Sequence, residues 1–329
     1  MNTMRSAIVG FVCAVASASC VRNAGEAARL QAIHLIRETI DLSQIVFVEP
    51  SSGMSDRALK SIQAFFPIVR AYPEKSSVPY HANDDVARFA NLKSAIESDK
   101  KYLWAVKGGY GSARLFEQLK SIPPPSIPKV FIGYSDATFL HLFFGRWGWK
   151  TIHGAMPIDL ARGEISYRNF TAIGEMISTQ KGALSYGNIV GLNRLAKSHI
   201  PINGEVIGGN LTLLASSLGT PWELIGTDKI IFIEDTGVRG YGVDRGLNHL
   251  SQSGVLKDAR AILFGEFLRG DEHVKYAIQR FADEAQLPVF IASNFGHGIS
   301  NYPLPFGFVS EIRQNSDGEF TLTIPYDFR

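Results

Sequence analysis

Four times in its first half the chain runs through a short apolar stretch, stops at a polar or glycine-rich turn, and then changes to another period. Ile45–Val48 ends in Glu49-Pro50-Ser51-Ser52-Gly53 and is followed by helical spacing over 54–66. Ile68-Val69-Arg70-Ala71-Tyr72 leads to an acidic, polar helix at 83–99. Tyr102–Val106 ends in Lys107-Gly108-Gly109-Tyr110-Gly111, and Lys129–Gly133 in Tyr134-Ser135-Asp136, each with a helix behind it. Apolar strands without alternation are buried on both faces, and helices between them imply a parallel sheet. In such a sheet ligands bind at the carboxyl ends of the strands, where these turns lie.

From about 165 to 205 the periodic signals weaken, and the segment reads as an inter-domain connection. Strand and helix signals resume over 206–329: Gly208-Gly209-Asn210 with an apolar helix to Leu218, strands at Lys229–Ile233, Ala261–Gly265, Pro288–Ile291 and Phe320–Ile324, and helices near 242–253 and 270–285. The predicted fold class is therefore α/β. A lead-in helix falls within 21–42, an N-terminal parallel-sheet α/β domain over 43–164, and a second mixed α/β domain over 206–329. The active site is expected at the interface between the two domains.

Hydrophobic residues make up 45% of the 329, enough for a large interior, and 33 basic against 31 acidic side chains leave a formal charge of +2. That balance excludes a disordered tail and argues against nucleic acid as partner, which needs a concentrated basic face. The first twenty residues form a separate unit. Arg5, an apolar run from Ala7 to Ala16 and small residues to Cys20 describe a secretory signal too short to span a bilayer. Export to the cell envelope or periplasm follows as the expectation, with Cys20 a site for a lipid anchor. Cys13 and Cys20 are the two cysteines, so residues 21–329 can form no internal disulfide and offer no thiol nucleophile.

Several residues at these turns could do chemistry. Ser135 follows a strand and precedes a helix, where its hydroxyl stands beside helix-start N–H groups; it resembles a G-x-S-x-G elbow lacking the second glycine, and it also reads as a helix N-cap. Gly108-Gly109-Tyr110-Gly111 suits an oxyanion loop or a plain tight turn. His153 precedes Gly154 and is placed to line the first domain's cleft. His297, between Gly296 and Gly298, contributes to no regular face. Glu234-Asp235 ends a strand, where a carboxylate can orient a histidine or cap a turn. No H-E-x-x-H or other zinc spacing occurs, and no metal or cofactor is expected.

Taken in order, Gly108-Gly109-Tyr110-Gly111, Gly133-Tyr134-Ser135-Asp136-Ala137-Thr138, His153-Gly154, Gly208-Gly209-Asn210-Leu211, Ile233-Glu234-Asp235 and Gly296-His297-Gly298 form a specific set. This set resembles the LD-carboxypeptidase family of serine peptidases, over about residues 43 to 328. The resemblance implies a catalytic Ser135, His297 and Glu234, with the backbone N–H groups of Gly109 and Asp136 as the oxyanion hole. It implies release of the C-terminal D-alanine from murein tetrapeptides by an acyl-enzyme, and a homodimer. Lys107, Tyr110, His153, Asn210 and Arg239 are candidate substrate contacts, with Arg245 a further cation for the free carboxylate. The family's usual arginine before Gly-Gly-Tyr-Gly is Lys107 here, which removes any bidentate contact from that position. Two alternatives stand beside this reading. One is an amidase of the same family acting on peptidyl or aminoacyl nucleotides, as the microcin C immunity peptidases do. The other is a non-catalytic exported ligand-binding protein.

Overall fold

The apolar stretches of the first half become neighbours in one sheet. The computed structural model describes residues 30–69, 71–72, 78–163, 166–197 and 200–329; the segment 1–20 expected to be a secretory signal, with Cys13 and Cys20, lies outside them. A helix over 30–39 leads into β1 (Ile45–Val48), which pairs in parallel with β2 (Tyr102–Ala105); β3 (Val130–Gly133) and β4 (Lys150–His153) extend the parallel run. Every residue of β2 and β3 is buried, as expected of strands covered on both faces. Trp104, Phe131 and Phe66 lie in this core, and each such side chain contributes about 1.5–3 kcal/mol by leaving water.

The stretch Ile68–Tyr72 departs from expectation. No strand forms among its described residues. Ile68 and Tyr72 are buried, but the backbone N–H of Ala71 donates to Glu49 Oε1 at 3.1 Å instead of joining a ladder. The segment supplies apolar cover to the sheet without extending it.

The second half closes into a seven-stranded barrel in the order β11-β12-β5-β9-β8-β7-β6. Its strands are β5 (Lys181–Gly191), β6 (Ile202–Asn210), β7 (Lys229–Thr236), β8 (Ala261–Leu268), β9 (Val289–Ala292), β11 (Val309–Gln314) and β12 (Phe320–Asp327). β6 to β9 run parallel, with the helices Leu211–Ser217, Gly240–Gln252 and Val274–Glu284 between or beside them; β11, β12 and β5 close the barrel antiparallel. The remaining strand, β10 (Leu304–Phe306), pairs antiparallel with β4, so a piece of the second half completes the first sheet.

The segment 165–205 is more than a connection. It carries the helix Tyr167–Thr179, all of β5 and the start of β6. β5 faces water along most of its length, with Tyr186 and Ile189 its two buried residues, so its sequence carries little apolar periodicity. Among the described residues no helix is long and apolar enough to cross a membrane.

Candidate active site

The carboxyl end of β3 makes an abrupt turn. Tyr134 is extended, Ser135 has φ +63°, and a 3-10 turn (Ser135–Ala137) runs into the helix Thr138–Arg146. A non-glycine residue in the left-handed region costs on the order of 1–3 kcal/mol and persists only where its surroundings impose it. Here they do. Thr138 Oγ1 donates to the Ser135 carbonyl at 2.7 Å and accepts the Asn210 N–H at 2.9 Å, tying the turn to the end of β6. Ser135 caps no helix end, so the N-cap reading of this serine does not hold; Tyr134 is the capping residue and makes no side-chain cap bond.

Asp136, which is buried, knots three loops together. Its Oδ2 accepts from Ser51 Oγ at 2.6 Å and from the Ser112 N–H at 2.9 Å, while Ser112 Oγ donates to the Asp136 carbonyl at 2.6 Å. The turn after β1 and the glycine loop after β2 are thus held against the serine. That approach requires glycines: a Cβ on Gly108 would sit 3.0 Å from Ser135 Cβ, and Gly109, at φ +110°, would drive one to 2.3 Å from Ser52 Oγ. The Gly109 N–H donates to none of the described residues.

The base comes from the barrel. β7 loses register with β8 between Ile233 and Asp235, and this irregularity, the usual device for re-aiming a side chain, falls on Glu234. Glu234 is fully buried and its Oε2 lies 2.6 Å from His297 Nδ1. Since a carboxylate only accepts, Nδ1 carries the proton and Nε2 is left as the basic nitrogen. The loop bearing His297 is anchored by Asn301, whose Oδ1 accepts the Gly296 N–H at 3.2 Å, and by the Glu266 N–H donating to the Phe295 carbonyl at 2.8 Å. Tyr134 packs its ring 4.8 Å from that of His297, so the residue beside the serine also abuts the base.

Burial opposes the charge on Glu234, but His297 and His153 beside it outweigh that effect and hold its pKa at about 2. Burial likewise disfavours imidazolium at His297, and Glu234, Asp159 and Asp235 reverse it, leaving its pKa raised. Asp159 is pushed up to about 6 by burial, against the Met156 N–H at 2.8 Å and the Tyr134 hydroxyl at 3.0 Å. Asp235, the other carboxylate at this strand end, is raised by burial and by Glu234. It accepts from Asn210 Nδ2 at 2.8 Å and from Thr212 N and Oγ1, fastening the start of the helix Leu211–Ser217.

Ser135 and His297 line one cavity of about 400 Å³, together with Gly108, Gly109, Asp136, Asp159, Arg162, Asn210, Asp235 and Arg269. A larger cleft, about 930 Å³, lies at the opposite, amino ends of β2 to β4 and has no histidine on its walls. Of the expected substrate contacts, Asn210 lines the cavity and four others do not. Lys107 Nζ donates to the Gly53 carbonyl; Tyr110 is exposed beside the cavity; Arg239 is exposed at the start of the helix Gly240–Gln252. His153 is sealed behind the site, its Nε2 3.9 Å from Glu234 Oε1, beyond hydrogen-bond range. Arg245, the further cation considered for the carboxylate, is exposed with its guanidinium over the Tyr241 ring. The cations on the cavity wall are instead Arg162 and Arg269, at the ends of a short helix and of β8, which nothing in the local sequence marked.

Comparisons with known proteins bear on the family and the fold. The LD-carboxypeptidase N-terminal domain matches residues 45–154, and the LD-carboxypeptidase C-terminal domain matches residues 203–312. A protein of Rickettsia conorii, provisionally named a carboxypeptidase, is 37% identical over 85% of this chain and 91% of its own length. The murein tetrapeptide carboxypeptidase of Pseudomonas aeruginosa is 26% identical over 74% of this chain and 86% of its own. Among solved structures, the muramoyltetrapeptide carboxypeptidase of Oxalobacter formigenes superposes with a TM-score of 0.71 at 24% identity, covering 86% of this chain and 99% of that one, which establishes a shared fold.

Proposed function

The chain belongs to the LD-carboxypeptidase family and is a serine-type carboxypeptidase; from that premise we propose that it releases the C-terminal D-alanine of murein tetrapeptides through an acyl-enzyme on Ser135. The observation that carries the reading is that His297, bonded at 2.6 Å to a fully buried Glu234, lines the same cavity as Ser135.

In this mechanism His297 Nε2 takes the Ser135 proton as Oγ attacks the carbonyl of the diamino acid. Negative charge then grows on that carbonyl oxygen. The N–H groups of Gly109 and Asp136 receive it, aided by the positive end of the helix Thr138–Arg146. Glu234 keeps the imidazole in its productive tautomer and stabilises imidazolium. The His297 proton passes to the departing amine of D-alanine, and water, activated by the same nitrogen, hydrolyses the ester. Arg162 and Arg269 recognise the free carboxylate that distinguishes a chain end from an internal bond. The serine stands on the first sheet and the base on the barrel, so their alignment depends on the ties through Thr138–Asn210 and β4–β10.

Mass spectrometry of purified disaccharide tetrapeptide after incubation tests this. Loss of one alanine residue is the expected product, absent with Ser135→Ala. An unchanged tetrapeptide, with cleavage of an aminoacyl nucleotide offered in parallel, would transfer the same machinery to the amidase reading. We further propose, from the first twenty residues, that the enzyme works in the cell envelope; its recovery solely in the cytosolic fraction would contradict that.

A further inference from the structure

Beside the catalytic loop stand two aromatic rings that the chemistry above does not use. Tyr80 and Tyr110 are 57% and 53% exposed, yet their ring centroids are 5.7 Å apart. Singly exposed aromatics are ordinary on protein surfaces. These two touch, and they are mounted rigidly. His81, which is buried, stacks at 5.3 Å and 24° against one face of Tyr110, and meets Tyr80 edge-on at 4.7 Å. One hydroxyl fixes both backbones: Ser52 Oγ donates to the Tyr80 carbonyl at 2.6 Å and accepts the Tyr110 N–H at 3.1 Å. Beneath them the fully buried Arg88 donates to the carbonyls of Pro50 and Gly111 and pairs with Asp85 at 2.5 Å.

Tyr110 directly follows Gly109, a wall of the catalytic cavity. A ligand whose carboxyl end is seated at Ser135 therefore leaves the cavity within reach of this pair. A tetrapeptide of alanines, glutamate and a diamino acid carries no large flat apolar surface. The sugar to which its amino end is joined does: one face of a pyranose is a patch of weakly positive C–H groups, complementary to the negative face of an aromatic ring. Three residues separate that sugar from the scissile bond, roughly 10 Å of extended chain, so the sugar lies outside a cavity of about 400 Å³ whose wall at Gly109 continues into Tyr110. We propose that Tyr80 and Tyr110 form a saccharide subsite, so that the enzyme prefers glycan-linked tetrapeptide over the free peptide. The inference rests on the murein reading of the active site.

Titration calorimetry on the Ser135→Ala protein, with disaccharide tetrapeptide and free tetrapeptide as ligands, tests it without turnover. The glycan-linked ligand is expected to bind about tenfold more tightly. Tyr80→Ala or Tyr110→Ala, added to that background, should each cut the ratio to threefold or less, whereas Tyr110→Phe, which preserves the ring and the fold, should retain it. Equal affinity for the two ligands, or a preference that survives both alanine substitutions, overturns the subsite. Binding of neither ligand overturns the murein reading itself, and the subsite with it.

Discussion

Replacing Glu234 by glutamine removes one charge and almost no volume from the centre of the site. Glu234 is fully buried and 2.6 Å from His297 Nδ1, so the substituted amide occupies the same contact. Two consequences follow. The amide can present its NH₂ group to Nδ1, which selects the tautomer whose Nε2 carries a proton and cannot accept one from Ser135. The imidazolium formed during acylation also loses its nearest counter-charge. Where an acid partner in such a triad has been neutralised, the loss in kcat is about ten-thousandfold, or about 5.5 kcal/mol of barrier, and a loss of that order is expected here. The pH profile adds a signature. Protonated His297 is inactive as a base, so kcat/KM in the parent enzyme rises with pH through the raised pKa of that histidine. Without Glu234, burial lowers that pKa against only the more distant Asp159 and Asp235, and the acid limb moves to lower pH. Stopped-time alanine release from disaccharide tetrapeptide between pH 5 and 9 measures both effects. A loss under tenfold together with an unmoved acid limb would refute the assignment of Glu234.

Further outcomes follow from the same geometry. The Glu234–His297 pair should stabilise the fold most between about pH 4.5 and 6.5: Glu234's depressed pKa gives stability that is present above its ordinary 4.5 and lost as pH falls toward about 2, and His297's raised pKa gives stability that is present below its ordinary 6.5 and lost as pH climbs through the raised value. Urea midpoints of the parent and Glu234→Gln at pH 3, 5.5 and 9 should differ most at 5.5. Asp136→Ala leaves Ser51 and Ser112 without their buried acceptor and should cost about 3 kcal/mol, read by chemical denaturation. Arg162→Ala should raise KM for the tetrapeptide while leaving cleavage of its C-terminal amide unchanged, measured by comparing the two substrates.

Three strands of the first sheet were legible because they are apolar throughout: β1, β2 and β3 were visible as runs, and the turns after them as glycines and polar residues. β4, β6 and β10 were not. Lys150–His153 is short and amphipathic in sequence, β6 is punctuated by Gly204, Gly208 and Gly209, and Leu304–Phe306 has three residues bounded and interrupted by prolines. Barrel closure was also hidden, since β5 buries so little. In the site, His297 stood out because two glycines left it no packing role. The strain at Ser135 showed only through the elbow-like spacing Gly133-Tyr134-Ser135, for a positive φ leaves no mark in the identity of a serine itself. Local sequence could not separate Glu234 from Asp235 either; the structure divides them, one reaching the imidazole and the other a helix start. The cations were misplaced for a simpler reason. Lys107, Arg239 and Arg245 neighbour the motifs in sequence, but where a long side chain ends is decided by tertiary packing, and Arg162 and Arg269 are the ones brought to the cavity.

In the proposed mechanism one serine, activated across two structural units by a single imidazole, performs the acyl transfer. A fluorophosphonate probe, which reacts only with an activated hydroxyl, measures that activation directly. Peptide mapping is expected to find one adduct, on Ser135, with a labelling rate at least a thousandfold lower in His297→Ala. Labelling at another residue, or at Ser135 with the same rate in that variant, would contradict the account.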